Sequence, residues 1–231
     1  MSPSLDFEET RRLLERGTLS LDLDLSPEQI DQFLTYLELL LKWNRRINLT
    51  AVRTPREIIS RHFLDSLLLL PHLPETGRLL DLGSGAGFPG LPLKIARPGL
   101  ALDLAEATAK KASFLKEAIR QLGLSDTNVF SVFFGKDPFP FEPIGPWDVF
   151  LSRGVNLEVV LRALAPYWRP ASRLFLMKGL EWREEIENAR PYMIKLDLTV
   201  KEAKPTRNPL SQNEWVLVIL AGNQKTEQGK G

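Results

Sequence analysis

Three alternate glycines stand between a short, mostly apolar run and a helical segment, and this junction constrains the fold more than any other part of the chain. The run 79–82 is followed directly by Gly83, Gly85 and Gly87. Glycines at such a turn allow positive φ angles and a close approach of the backbone to a ligand, and the start of the next helix offers free N–H groups. The segment therefore predicts a strand, a loop that binds a nucleotide-like ligand, and a helix.

The chain after residue 77 alternates short apolar runs with helical segments, which is typical of a parallel sheet covered by helices. We expect strands near 78–81, 100–104, 129–134, 147–151 and 173–178, and helices near 88–96, 109–122, 157–165 and 181–190. Only a polar loop, 202–214, separates the last two apolar runs, 196–201 and 215–220, so they predict an antiparallel hairpin. The whole pattern predicts a doubly wound, mostly parallel seven-stranded sheet with helices on both faces.

The first third of the chain has a helical pattern. We expect a short helix over 4–15 that Gly17 stops, and a second helix that Ser26 caps and that reaches about residue 43. Thr54 begins a third helix with the same capping chemistry. The expected units are a helical subdomain over 1–74, an α/β domain over 75–222 and a loose polar tail over 223–231.

Composition excludes several classes of chemistry. The 231 residues include no cysteine, which excludes disulfides, thiolate metal sites and the C5-pyrimidine methylases that attack the ring with a thiolate. Lys plus Arg number 30 and Asp plus Glu 29, so any binding to nucleic acid must come from a local patch. We find no signal-peptide pattern and no apolar stretch near the roughly 20 residues of a membrane-spanning helix. We therefore expect a cytoplasmic protein without a membrane partner. We also expect a monomer and no metal site.

The spacing of the glycines separates two kinds of ligand. A dinucleotide fold requires Gly-x-Gly-x-x-Gly, and counting from Gly83 the last position is Phe88. The remaining pattern, an acid before three alternate glycines, resembles the loop of class I methyltransferases that use S-adenosylmethionine. In that interpretation Asp81 or the loop carbonyls suit the ammonium of the cofactor, and Glu106, just after the second strand, suits the ribose hydroxyls. The alternatives are a purely structural turn and a helix cap.

Three longer motifs follow one another along the chain: Lys-Trp-Asn-Arg-Arg-Ile-Asn-Leu-Thr-Ala at 42–51, Arg-His-Phe-Leu-Asp-Ser at 61–66, and Asp-Leu-Gly-Ser-Gly-Ala-Gly-Phe-Pro-Gly at 81–90. Together they resemble the glucose-inhibited division protein B family of bacterial small-subunit ribosomal RNA guanine-N7 methyltransferases. Later matches lie at 110–111, 114–115, 152–153 and 178–179. The resemblance implies a Rossmann-like class I methyltransferase fold, S-adenosylmethionine as cofactor, and a guanine in the 530 loop of 16S ribosomal RNA, naked or within the small subunit, as substrate.

The resemblance also assigns a cofactor site, with departures from the family's usual pattern. Glu106-Ala107 replaces Asp-Ser, Gly135-Lys136-Asp137 replaces an Arg-x-Glu segment beside the adenine, Gly154 replaces an alanine, and the last strand lacks flanking basic residues. The expected cofactor-binding residues are Asp81, Gly83, Ser84, Gly85, Gly87, Phe88, Glu106, Lys136, Asp137 and Arg153.

Arg153 is our first choice for a residue that touches the cofactor or the target base, because it ends a central strand where ligands bind in this architecture. N7 of guanine has an in-plane lone pair and no proton, so methyl transfer to it needs positioning and no general base. Methylases of exocyclic amines commonly have Asn or Asp, Pro-Pro and an aromatic at this place, whereas this chain has Ser-Arg-Gly-Val at 152–155. The alternative for Arg153 is an ordinary salt bridge.

A basic stretch lies between Lys42 and His62, where six basic side chains stand against one acid, Glu57. Such a face can hold phosphates without sequence specificity, and Trp43 or Phe88 could stack on a displaced base. The alternative is that the arginines solvate a helix and that Trp43 fills the core. His62 fits a structural role better than a catalytic one, since this chemistry removes no proton. The expected RNA-binding residues are Arg45, Arg46, Asn48, Arg61, His62 and Lys178.

Two other functions stay open. One is a class I methyltransferase that acts on another RNA position or on a small molecule, which the changes at 135–137 and 154 favour. The other is a non-catalytic RNA-binding factor of ribosome assembly that keeps the cofactor pocket. Such a factor would bind RNA with a steep salt dependence and would transfer no methyl group.

Overall fold

The computed structural model describes residues 6–133, 146–211 and 213–223. Its helices are α1 (Phe7–Leu19), α2 (Pro27–Asn44), α3 (Pro55–Ile58), α4 (Asp65–Leu67), α5 (Gly90–Ala96), α6 (Ala109–Leu122), α7 (Leu157–Leu164) and α8 (Trp182–Lys195). Its strands are β1 (Gly77–Leu82), β2 (Leu100–Ala105), β3 (Thr127–Phe130), β4 (Val149–Arg153), β5 (Arg173–Lys178), β6 (Leu198–Thr206) and β7 (Trp215–Gly222). A π-helical segment, Ile59–Leu64, joins α3 to α4, and 3-10 turns cover Leu70–His72 and Ala165–Tyr167. Of the expected tail, residues 224–231 lie outside the described ranges.

The start of α2 follows the expected capping chemistry. Ser26 accepts the backbone N–H of Gln29, and the Gln29 side chain accepts the backbone N–H of Ser26 at 2.8 Å, which completes a capping box. Thr54 caps the next helix in the same way through the backbone N–H of Glu57. These two helix starts were readable from sequence because the partners lie three residues apart.

The expected end of α1 was wrong. The helix begins at Phe7, with Asp6 as its N-cap, and continues through Gly17 to Leu19. A Cβ atom added at Gly17 would lie 2.5 Å from Cδ1 of Leu64. Gly17 therefore allows α1 to approach Leu64 closely, and it does not stop the helix.

The seven strands form one sheet in the order β3-β2-β1-β4-β5-β7-β6. β1 to β5 pair in parallel, whereas β7 pairs antiparallel with both β5 and β6. This topology confirms the expected doubly wound sheet with a C-terminal antiparallel hairpin. The chain order reverses between β1 and β4, and in open α/β sheets this reversal places the ligand crevice at the carboxyl ends of the two strands.

Several bounds differ from those expected. β6 extends to Thr206, through a bulge between Val200 and Glu202, because an edge strand can keep polar residues on its solvent side. β3 ends at Phe130, earlier than expected. α8 continues beyond its expected end because Ala189 and Met193 are buried on either side of Pro191.

The sheet separates two apolar cores. α1, α2, the helical segment 55–67, α5 and α6 cover one face, which side chains such as Leu79, Leu102 and Phe175 fill. α7 and α8 cover the other face, where Leu80 and Phe150 alternate with the first set along the same strands. The N-terminal helices thus lie directly over the face of the sheet that borders the glycine loop. Among the described residues, no helix is both long enough and apolar enough to cross a membrane.

Candidate active site

The glycine loop connects β1 to α5 at the carboxyl edge of the sheet. Gly83, Gly85 and Gly87 have φ angles of +75°, +59° and +96°, which side chains rarely adopt. A Cβ atom at Gly83 would lie 2.5 Å from Cγ2 of Val155, and one at Gly87 would lie 2.5 Å from Cδ1 of Leu91. A Cβ atom at Gly85 would meet only the carbonyl oxygen of Gly83, at 3.8 Å. Gly83 and Gly87 therefore allow close packing within the protein, whereas Gly85 borders open space.

Asp81 lies beneath the loop and is fully buried. Its Oδ2 atom accepts the backbone N–H of Gly90 at 2.9 Å, whereas Oδ1 has no hydrogen-bond partner. Burial raises the pKa of Asp81 to about 7, and the nearby charge of Glu106 adds to this rise. An unpartnered buried carboxylate oxygen fits a cationic hydrogen-bond donor on a ligand.

Glu106 ties the end of β2 to the loop. Its Oε2 atom accepts the backbone N–H of Gly85 at 2.9 Å, and its Oε1 atom accepts the backbone N–H of Thr108 at 2.8 Å. Thr108 is the N-cap residue of α6, so Glu106 also has the helix-capping role that sequence left open. Each carboxylate oxygen keeps a second lone pair, which leaves acceptors for hydroxyl groups of a ligand.

The side chains of Ser84 and Phe88 contact the protein rather than open space. The Ser84 hydroxyl donates to the carbonyl oxygen of Asp81 at 2.9 Å. Phe88 stacks on His62 with 4.5 Å between ring centroids. The loop therefore offers its backbone, and Gly85 above all, to a ligand.

His62 is neutral and partly bonded. Thr50 Oγ1 lies 2.7 Å from its Nε2, whereas Nδ1 is buried without a partner. Burial lowers the pKa of His62 to about 3, and the positive charge of Arg153 contributes to the shift. A ring that stays uncharged near neutral pH can pack against Phe88 and Arg153 without charge repulsion.

Arg153 ends β4 and lies in the same crevice. Its Nη2 donates to the carbonyl oxygen of Arg61 at 2.8 Å, its guanidinium lies 4.6 Å from the ring centroid of Trp215, and its Nη1 is buried without a partner. The salt bridges found among the described residues do not include Arg153, so the ordinary ion pair considered from sequence is not formed there. The next residue, Gly154, has a φ of +74°, where the alanine usual in the resembled family would be strained.

The expected RNA-binding residues divide into two groups. Arg45, Arg46, Asn48 and Arg61 are exposed, with Arg61 4.0 Å from Glu57. Lys178 is 5% exposed, and its ammonium donates to the carbonyl oxygen of Val155 and to Glu185, both at 2.6 Å. Contact between Lys178 and RNA therefore does not fit this structure, because that side chain holds the loop after β4.

Of the remaining expected residues, Trp43 packs within the protein. Trp43 is half-buried and meets the Phe114 ring edge-on at a centroid distance of 5.7 Å, so it packs on α6. Lys136 and Asp137, expected beside the adenine, lie outside the described residues, as does Gly135.

Sequence reasoning missed four residues that shape the site. Tyr36 is fully buried in α2 and donates to the carbonyl oxygen of Ala86 within the glycine loop. Asp65, Asn208 and Trp215 form a hydrogen-bonded cluster beside Arg153. No local pattern connects Tyr36 with the glycine loop 50 positions away, or Asp65 with residues more than a hundred positions away.

Comparisons with known proteins agree with this geometry. The family model for rRNA small subunit methyltransferase G, GidB, matches residues 29–213. A protein of that name from Alkaliphilus metalliredigens (strain QYMF) is 33% identical over 224 residues, which cover 94% of this chain and 92% of the relative. Another from Stenotrophomonas maltophilia (strain K279a) is 38% identical over 212 residues, which cover 90% of this chain and 93% of the relative.

Solved structures show the same fold at low identity. TrmN from Thermus thermophilus superposes with a TM-score of 0.55 at 18% identity, over 78% of this chain and 53% of that one. TrmK from M. capricolum, in complex with the cofactor product S-adenosyl-homocysteine, superposes with a TM-score of 0.54 at 11% identity, over 69% and 68%. The expected fold and enzyme class are confirmed. The motifs, the sheet and the family match together identify the chain as a member of the GidB family of small-subunit rRNA methyltransferases.

Proposed function

We propose that this chain transfers a methyl group from S-adenosylmethionine to N7 of a guanine in the 530 loop of 16S ribosomal RNA. The observation that carries the proposal is the half-buried side chain of Arg153, which ends β4 and whose Nη1 atom has no hydrogen-bond partner among the described residues. Arginine is the commonest partner of the O6 and N7 edge of guanine, so a donor at this place suits a guanine whose O6 it binds while N7 stays free to react.

The residues of the crevice fit the cofactor. The unpartnered Oδ1 of Asp81 suits the ammonium group, and the remaining lone pairs of Glu106 suit the ribose hydroxyls. The open space above Gly85 lets the backbone approach the ligand. When bound, the cofactor supplies a methyl group on a sulfonium, and the task left to the protein is to orient the acceptor.

The crevice suits an acceptor that loses no proton. His62 is the histidine in the crevice, and its pKa of about 3 makes it a poor proton acceptor near neutral pH. Arg153 ends β4 and Gly154 follows it, whereas methylases of exocyclic amines have an amide or acid with prolines at this place. Positioning by Arg153 in a buried crevice is enough for in-line transfer to a ring nitrogen.

The RNA surface that we propose consists of the exposed residues Arg45, Arg46, Asn48 and Arg61, together with the half-buried His62. Within the same stretch, Thr50 contacts His62, which stacks on Phe88 at the end of the glycine loop. Guanine N7 lies in the deep, narrow groove of A-form RNA, so the target must lie in a loop or an open intermediate. The ribosomal substrate implies a cytoplasmic enzyme.

The test is transfer of labelled methyl groups to 16S ribosomal RNA, supplied naked and within small subunits from cells that lack this protein. We expect 7-methylguanosine at a single loop position. Label at another RNA position, or on metabolites alone, would contradict this substrate and support a methyltransferase with a different one. RNA binding without any transfer, from a protein that binds the cofactor, would favour the assembly factor.

A further inference from the structure

We infer that Trp215 and Asp65 are positioning residues that fix the guanidinium of Arg153, so the C-terminal strand helps to set the reaction rate. This inference rests on the role proposed above for Arg153. The strap, defined as Asn208 with Trp215, lies outside the motifs that identified the site.

Asp65 anchors the strap. This carboxyl group is fully buried in α4, and burial raises its pKa, while hydrogen bonds from Trp215 and Asn208 oppose the rise. Trp215 Nε1 donates to Oδ2 at 2.7 Å, and Asn208 Nδ2 donates to Oδ1. A buried carboxylate that receives a donor on each oxygen holds both donors in fixed positions.

Trp215 uses its two chemical features on two different partners. The indole N–H binds Asp65, and the face of the same ring lies 4.6 Å from the guanidinium carbon of Arg153. A guanidinium over an indole face is attracted by the ring, most strongly where water is excluded. The hydrogen bond to Asp65 therefore determines where the ring, and with it the guanidinium, can lie.

The π-helical segment Ile59–Leu64 completes the arrangement. Asn208 Nδ2 also lies 2.8 Å from the carbonyl oxygen of Ser60, and Arg153 Nη2 lies 2.8 Å from the carbonyl oxygen of Arg61. The strap and the arginine thus bind neighbouring carbonyls of one segment. Such π-helical insertions occur often at functional sites, where they present backbone groups that an α-helix would keep paired.

The result is an arginine held on several sides. The Trp215 ring, the Arg61 carbonyl oxygen and the negative charge of Asp65 surround the guanidinium, and Nη1 is left buried and unpartnered. Because an unrestrained arginine side chain samples many rotamers, losing the ring would spread the position of Nη1. A displacement of about 1 Å at a reacting centre can lower a rate by about 100-fold.

The chain contains a matched control for the cation–π pair. Trp182 and Arg183 have the same separation, 4.6 Å, but lie in α8 on the opposite face of the sheet. The variants are Trp215→Phe, which keeps a ring but removes the N–H donor, Trp215→Leu, which removes both, Asp65→Asn, and the controls Trp182→Phe and Trp182→Leu.

Two readouts separate positioning from simple destabilisation. The first is the pair of kinetic constants for methyl transfer to small-subunit RNA, together with the cofactor Kd and the Tm. The second is the NMR chemical shift of the Arg153 Nε–H group in the free protein. The ring current of Trp215 displaces this shift, and the signal is assigned by its loss in Arg153→Lys.

For Trp215→Leu we expect kcat to fall by about 10- to 100-fold while KM and the cofactor Kd change by less than about threefold. The Arg153 signal should lose its ring-current displacement. Trp215→Phe should keep more of the kcat and more of the ring-current displacement than Trp215→Leu does. Asp65→Asn should resemble Trp215→Phe. The Trp182 variants should change neither.

The inference is overturned if Trp215→Leu leaves kcat and the Arg153 signal unchanged, or if Trp182→Leu lowers kcat equally. Should Trp215→Leu fail to fold, Trp215→Phe decides by the same readouts. If the wild-type protein methylates no ribosomal RNA, the proposed function fails, yet the Arg153 signal still shows whether Trp215 positions the guanidinium.

Discussion

Glu106 accepts the backbone N–H of Gly85 at 2.9 Å, and this bond joins the middle of the glycine loop to the end of the neighbouring strand. Two acidic side chains thus hold the loop, since Asp81 accepts the backbone N–H of Gly90 beyond it. The loop is fixed before any ligand arrives, and its open side is the side of Gly85.

Gly85→Val should abolish cofactor binding while the protein still folds, with a Tm loss of a few degrees. The new side chain would occupy the open space that the cofactor needs, while its left-handed φ costs about 1–2 kcal/mol. Gly123→Val is the matched control, because Gly123 has a φ of +63° and open space but lies at the end of α6. Calorimetric Kd and Tm should show a loss of binding for Gly85→Val only; tight binding by this variant would refute the assignment of the loop.

Arg153→Ala should lower the rate more than the stability. Within the described part of the chain the guanidinium makes one hydrogen bond and one ring contact, but in our proposal it orients the target base. We expect kcat to fall by about 100-fold or more, with a Tm loss of only a few degrees. Arg162→Ala, which removes an exposed arginine over Tyr192, is the control. A kcat near that of the wild type would exclude Arg153 from the reaction.

Cofactor affinity should rise with pH between about pH 5 and pH 7. Asp81 has a raised pKa of about 7, so it is mostly protonated at the lower pH, and only the ionised carboxylate attracts the ammonium group. The cofactor amino group stays protonated over this range. We expect Kd to fall by up to about tenfold per pH unit below the pKa, and Asp81→Asn to remove this dependence. A Kd that is flat in the wild type would contradict the role of Asp81.

The same pKa shift predicts a stability trend in the free protein. The folded pKa of Asp81, about 7, exceeds the ordinary value of 3.8, so between these values the folded state binds more protons than the unfolded state. The contribution of Asp81 to the free energy of unfolding is therefore largest below about pH 4 and is lost as the pH rises towards 7. Chemical denaturation of the wild type and of Asp81→Asn at several pH values isolates this contribution, which the variant should lack; equal pH slopes in both proteins would contradict it.

The double variant Arg45→Ala, Arg46→Ala should bind RNA more weakly and with a shallower dependence on salt. Removing one cation that binds a phosphate reduces the slope of log K against log salt by about 0.7 to 0.9. The control is Arg169→Ala with Arg173→Ala, which removes the same charge. Arg173 begins β5, so it lies at the amino end of that strand, away from the carboxyl ends that form the site. An unchanged slope in the first variant, or an equal change in the control, would exclude the basic stretch as the RNA surface.

Sequence predicted the architecture well because the relevant signals are local. The capping box at Ser26, the glycine loop after β1 and the alternation of strands with helices each depend on residues a few positions apart. The predicted end of α1 was wrong because Gly17 serves close packing against Leu64, and the local sequence does not reveal this contact.

The glycine loop of the candidate site and its two acidic residues could be predicted from the sequence. The residues that hold Arg153 and the loop after β4 could not. The sequence alone places Asp81 near the end of β1 and the glycines and Glu106 just after β1 and β2, and parallel strands bring such residues to one edge of the sheet. The burial of Lys178 and the contact of Trp215 with Arg153 and Asp65 emerge only once the chain is folded. The physical reason is that burial and pairing depend on strand register and on how helices pack across the sheet, which join residues as far apart as 150 positions.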